Sequence, residues 1–239
     1  MKTTTAFIIL FLSYYGLSFS QTKDTISLAY ISVQNYDVSP STIKKIAKPK
    51  IHDFEGSYHF GDSEGESQLE IIYSNAKLFA RTDYAEWENN TWAGKSDRLA
   101  IKYLNGKILI DKINYELSFS DETKGLTSHY YENTDENTKH FIQFNPNGKI
   151  EKPKGKYPEA SFVKLTADDL SRFSKYDLKI MRNEIFARKG YVFKQGGEID
   201  NYFSQKEWYK SIEKINNISL NAIEKHNLEL IQELEKTLK

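Results

Sequence analysis

Apolar positions along this chain change their spacing twice, and the changes mark out its parts. After a single positive charge at Lys2, an almost unbroken apolar run extends from Ala6 to Leu17. Ser18-Phe19-Ser20 then places small residues three and one positions ahead of Gln21. This is the three-part layout of a secretory signal peptide over residues 1–20, cleaved between Ser20 and Gln21. The run is short of the roughly 20 apolar residues a membrane-crossing helix needs, and Ser13 and Gly16 interrupt it. Residues 21–50 show brief alternation at Ile26, Leu28 and Tyr30 and then turn polar, which reads as a linker or a loosely attached strand.

Between 51 and 148 the period becomes two. Short segments rich in aromatic and β-branched residues recur: Ser57 to Phe60, Gln68 to Tyr73, Lys77 to Arg81, Leu99 to Leu104, Lys107 to Ile110, Tyr115 to Phe119 and His140 to Phe144. Strand-and-turn units of about ten residues predict an antiparallel meander. Asn105-Gly106 is the best hairpin signal, because a type I′ turn needs positive φ at both central residues. Rolling or stacking such a sheet protects its edges, so the expected unit is a β-barrel or β-sandwich of about seven to nine strands.

Residues 149–160, with four lysines, two prolines and a glycine, read as a linker. Beyond them, over 161–239, the period is helical. Thr166 with Asp169 and Ser174 with Asp177 have capping-box spacing. Leu178, Met181 and Ile185 line a helix over Lys175 to Lys189, and Gly190 stands at its C′ position. A second helix is predicted from about Leu220 to Leu238, with Ile223, Leu230, Ile231 and Leu234 as its stripe and Asn221 with Glu224 suited to its start; short turns fall between. The fold class is therefore α+β: an N-terminal antiparallel β-barrel or β-sandwich followed by a small all-α module, expected to be two independently stable units.

Composition narrows the chemistry. The 33 basic and 33 acidic residues balance, which argues against nucleic acid as a partner and against a polybasic membrane patch. There is no cysteine, so disulfides, thiolate catalysis and zinc–cysteine sites are excluded. The five histidines show no HxH or HExxH spacing, and no G-x-S-x-G elbow occurs. Asp62-Ser63-Glu64-Gly65-Glu66 lacks the ordered oxygen spacing of a calcium loop. No catalytic residue, metal ligand or cofactor is assigned. Trp87 and Trp92, with Tyr84, could stack sugar rings. On one straight strand their offset of five would point them to opposite faces, so at least one is expected in the core.

The helical segment resembles the YARHG domain. The five-residue signature stands here as Phe186-Ala187-Arg188-Lys189-Gly190, after Arg182-Asn183-Glu184-Ile185. The likeness continues through Phe193, Tyr202-Phe203 and Trp208-Tyr209 to Ile223 through Ile231, about residues 165–235. Phe186 and Lys189 replace the signature's Tyr and His, removing both groups suited to acid–base work. The resemblance implies an extracellular setting and supplies no reaction.

Glu184 and Arg188 are spaced i, i+4 in the favourable acid-first order, and Arg188 falls in the last turn, where its charge complements the helix dipole. Two readings follow. Arg188 and Asn183 can tie the following loop down internally, with Trp208 and Tyr209 packing. Alternatively, Asn183, Arg188, Trp208 and Tyr209 form a recognition patch for a peptide or glycan. The expected function is that of an exported, non-enzymatic binding or structural protein of the bacterial periplasm or cell envelope. Its partner would be an envelope protein, peptide or glycan, with no transmembrane segment in the mature chain. The alternatives are a small-ligand carrier using the β-domain interior, or an envelope hydrolase with an unrecognised carboxylate site.

Overall fold

In a computed structural model, residues 36–38, 43–59, 67–120, 123–128, 139–144, 150–215 and 217–238 are described. The predicted signal peptide and its cleavage site lie outside them. The described part of 21–50 holds two short strands, β1 (Tyr36–Val38) and β2 (Ile43–Lys45).

The main strands are β3 (Gly56–His59), β4 (Gln68–Ser74), β5 (Lys77–Glu88), β6 (Thr91–Leu99), β7 (Ile101–Leu104), β8 (Lys107–Ile110), β9 (Ile113–Ser120), β10 (Thr123–Ser128) and β11 (Lys139–Phe144). They form one antiparallel sheet in the order β6-β5-β4-β3-β11-β10-β9-β8-β7, with β1 paired to β11 and β2 to β9. That order dictates the shape. β6 and β7 stand at opposite ends of the sheet, yet only Ala100 separates them in sequence, so the sheet must roll to bring those ends near each other. Among the described residues no ladder joins the two ends, and the sheet is rolled without closing. Its inward face packs Phe54, Tyr58, Leu69, Ile71, Ile108 and Leu117 with their neighbours into one core.

Two-residue turns set the registers. Asn105 and Gly106 have φ of +47° and +86°, as the hairpin signal predicts. Asn89 and Asn90, at +49° and +63°, make the same kind of turn between β5 and β6.

The C-terminal half contains α1 (Ala167–Leu170), α2 (Lys175–Arg188), α3 (Glu198–Phe203), α4 (Glu207–Lys210) and α5 (Ala222–Thr237). Both predicted capping boxes form, and Asn221 with Glu224 makes a third at the start of α5. Leu178, Met181 and Ile185 of α2 share a core with Ile231 of α5 and with Phe193, Phe203 and Tyr209. No helix among the described residues is long and apolar enough to cross a membrane.

Two sequence expectations need correction. The helical core is not self-contained: the cross-strand pair Ile72 and Phe79, on the outward face of β4 and β5, belongs to it, while the inward face of the sheet keeps a core of its own. The hairpin is thus buried on both faces, which is why consecutive Ile71 and Ile72 are both apolar. The stretch 149–160 is also more than a linker. Tyr157, Pro158, Glu159 and Ala160 are buried in a 3-10 turn (Pro158–Ser161) wedged between sheet and helices.

Candidate functional site

The signature arginine reaches into that wedge. Arg188, in the last turn of α2, is only 8% exposed at its side chain. Its Nε donates to the Lys154 carbonyl (2.6 Å) and Nη1 to the Ser161 hydroxyl (2.9 Å). Nη2 donates to both the Tyr157 carbonyl (2.8 Å) and the Glu184 carboxylate (3.0 Å). Glu184 in turn accepts from the backbone N–H groups of Lys156 (2.6 Å) and Tyr157 (2.7 Å). Burial pushes the Glu184 carboxyl up, against the opposing pull of Arg188 and of the two N–H donors. A buried charge pair of this kind is tolerable only because its remaining lone pairs and protons are also bonded.

Two glycines make room for these contacts. A Cβ on Gly155, at φ +116°, would lie 1.9 Å from a Glu184 carboxylate oxygen. A Cβ on Gly190, at φ +79°, would lie 2.1 Å from the Glu213 carbonyl oxygen, where Ile215 N–H bonds the Gly190 carbonyl. The signature glycine therefore serves a close chain crossing as well as a positive φ. Lys189 ion-pairs at 3.1 Å with buried Glu224, the residue that caps α5. The substituted signature position thus ties α2 to α5. Phe186 packs at the edge of the core beside Tyr191.

The other predicted site residues are not brought to one exposed patch. Asn183 donates 2.7 Å to the Lys179 carbonyl in its own helix. Tyr209 is buried and donates 2.6 Å to the Tyr191 carbonyl. Trp208 is half-buried, edge-on to Phe203 and Tyr209.

Sequence reasoning missed several anchors. Asn227 is fully buried; its Nδ2 donates to the carbonyls of Ala160 (2.9 Å) and Val163 (2.7 Å), and its Oδ1 accepts from Leu165 N–H (2.7 Å). The signal was there: Asn227 is a polar residue in the apolar stripe between Ile223 and Ile231. Buried Glu159 accepts from Ser74 Oγ (2.7 Å) and Asn75 Nδ2 (2.8 Å), joining the wedge to the β4–β5 turn. Arg81 stacks 4.4 Å over the Phe162 ring, and Arg98 grips Asp169 through two bonds (2.6 and 3.2 Å). Both arginines project from the root of the β5–β6 hairpin onto the helical module.

Further out, that hairpin holds the largest exposed aromatic pair among the described residues. Trp87 and Trp92 are 59% and 51% exposed, with ring centroids 5.5 Å apart at 76°. Neither is in the core, contrary to the single-strand expectation. The Asn89-Asn90 turn puts them on two strands in direct register, and hence on one face.

Among the described residues no group of three or more His, Cys, Asp or Glu is arranged to hold a metal. The buried carboxylates of Glu159 and Glu184 are both occupied by internal donors. The interior a small-ligand carrier would use is lined by buried side chains such as Phe54, Tyr58 and Leu126.

No curated protein and no solved structure matches the chain. Residues 156–236 do match a family model, and its start coincides with the wedge that Arg188 and Glu184 hold: this C-terminal part of the chain is similar to the YARHG domain.

Proposed function

We propose that the protein works outside the cytoplasm as a non-enzymatic binding or structural protein of the bacterial periplasm or cell envelope. In this reading the YARHG module is an internal clamp and the β-fold presents the contact surface. The observation that carries it is the bonding of Arg188. Three donated bonds to a neighbouring segment and a fourth to Glu184 in its own helix occupy four of the five N–H donors of the signature's buried guanidinium. The polar groups around it are consumed in the same way, which is the pattern of a scaffold and not of a poised acid, base or nucleophile. The signal-peptide layout of residues 1–20 supports the location.

Two measurements test the reading. Fractionation of producing cells, with N-terminal sequencing, is expected to find a chain starting at Gln21 outside the cytoplasm; an uncleaved cytoplasmic chain contradicts export. Incubation of the purified mature chain with cell-wall polymer is expected to release nothing. Turnover abolished by a single substitution contradicts the non-enzymatic role.

A further inference from the structure

We propose that the face of the β5–β6 hairpin carrying Trp87 and Trp92 binds a neutral polysaccharide chain, a proposal that rests on reading the protein as a binding protein. The register arranges four cross-strand pairs along this face. From the tip inward they are Trp87 with Trp92, Ala85 with Gly94, Asp83 with Ser96, and Arg81 with Arg98. The last pair is covered by the helical module through Phe162 and Asp169. The strip therefore runs about 20 Å from an aromatic wall to a protein wall. Its floor beside the rings is low, since a Cβ added at Gly94 would meet nothing within 4 Å.

A sugar ring matches each part. The face of a pyranose is rich in polarised C–H bonds, which the electron-rich face of an indole attracts. Hydroxyls at the ring's rim need donors and acceptors, and Asp83 and Ser96 stand two pairs inward from the tryptophans. The edge-on packing of the two indoles holds them in place without covering them. The opposite face of the hairpin is spent on itself. There Tyr84 donates to Asp97 (2.5 Å), and Lys95 pairs with Glu88 (2.7 Å). These bonds stiffen the arm, so the exposed rings are presented already ordered.

Charge selects against other ligands. Residues 81–98 carry three basic and four acidic side chains. All three cations are paired: Arg81 with Glu70 and Asp83, Lys95 with Glu88, and Arg98 with Asp169. Nothing on the strip attracts an anionic lipid or an anionic glycan. Two rings and a glycine floor are also small beside the roughly 800 Å² each partner buries in an ordinary protein–protein interface.

The test is depletion of the mature chain from solution by insoluble cellulose, chitin, starch and mannan. Variants are Trp87→Ala/Trp92→Ala, which removes the wall, and Gly94→Val, which fills the floor where there is room for a side chain. Retention by at least one polymer is expected. It should fall at least about tenfold in both variants while their melting temperatures match the parent chain. Retention by none of the four, or undiminished retention in the variants, overturns the site. So does arm-dependent sedimentation with phosphatidylglycerol vesicles, or arm-dependent self-association, in the absence of polymer retention. Soluble sugar released from a retaining polymer overturns the non-enzymatic reading and leaves the site standing, whereas loss of retention alone leaves that reading standing.

Discussion

Arg188 donates to Glu184 at 3.0 Å within one helical turn, and both side chains reach past each other to the same backbone, that of residues 154–157. A pair that would be a surface i, i+4 bridge on an isolated helix is here a buried clamp on a separate segment. The difference matters energetically. Exposed pairs contribute about 0.3–0.5 kcal/mol, whereas removing one partner of a buried pair costs about 3–5 kcal/mol.

The clamp predicts an order among glycine substitutions. Gly190→Ala brings a Cβ against the Glu213 carbonyl as well as straining φ, whereas Gly196→Ala, at φ +72°, meets open space. Unfolding in denaturant should show Gly196→Ala losing about 1 kcal/mol and Gly190→Ala clearly more. Equal losses would mean that the 212–213 crossing is not tight.

The shared core predicts cooperative unfolding. Ile72 and Phe79 project from the sheet into the helical core, so the helical half does not bury its apolar surface without the sheet. Phe79→Ala should cost about 3–5 kcal/mol and lower the whole calorimetric transition. A first transition that is unchanged, followed by a second that is shifted, would show two independent units.

Acid should weaken the fold through specific carboxylates. Bonds from the Ser174 and Tyr157 hydroxyls hold Asp177 well below the ordinary carboxylate range. Asp169 is buried, which raises it, but Arg98 and Thr166 more than offset this and leave it lowered. A depressed carboxyl stabilises above its unfolded value of about 3.9, and the contribution drains away as pH falls toward the folded value. Asp177→Asn keeps a capping group but no charge. Its melting deficit relative to the parent should be full at pH 6 and shrink toward pH 2. A deficit independent of pH would assign Asp177's role to packing alone.

Much of this architecture was legible in the chain. Capping residues Thr166, Ser174 and Asn221 and the Asn105-Gly106 turn act locally, so their spacing alone places them. What depends on distant pairing was not legible. The Trp87–Trp92 register follows from recognising Asn89-Asn90 as a turn, since a one-strand reading sends the rings to opposite faces. The wedge at 157–160 looked like linker because the four lysines and two prolines of the surrounding stretch 149–160 dominate its composition. Its partners Asn227, Glu184 and Ser74 lie far away in sequence. Asn227 and the doublet Ile71-Ile72 break the local pattern, and both turn out to face a second partner.

The signature arginine holds one stretch of chain to another. The most direct test is a double-mutant cycle on unfolding free energy with Arg188→Ala and Glu184→Gln. Arg188→Ala should cost about 3–5 kcal/mol, and the double variant clearly less than the two single losses combined, because Glu184→Gln removes the charge left unpaired. An Arg188→Ala chain that unfolds like its parent but loses binding to a partner would make Arg188 a recognition residue and contradict the claim.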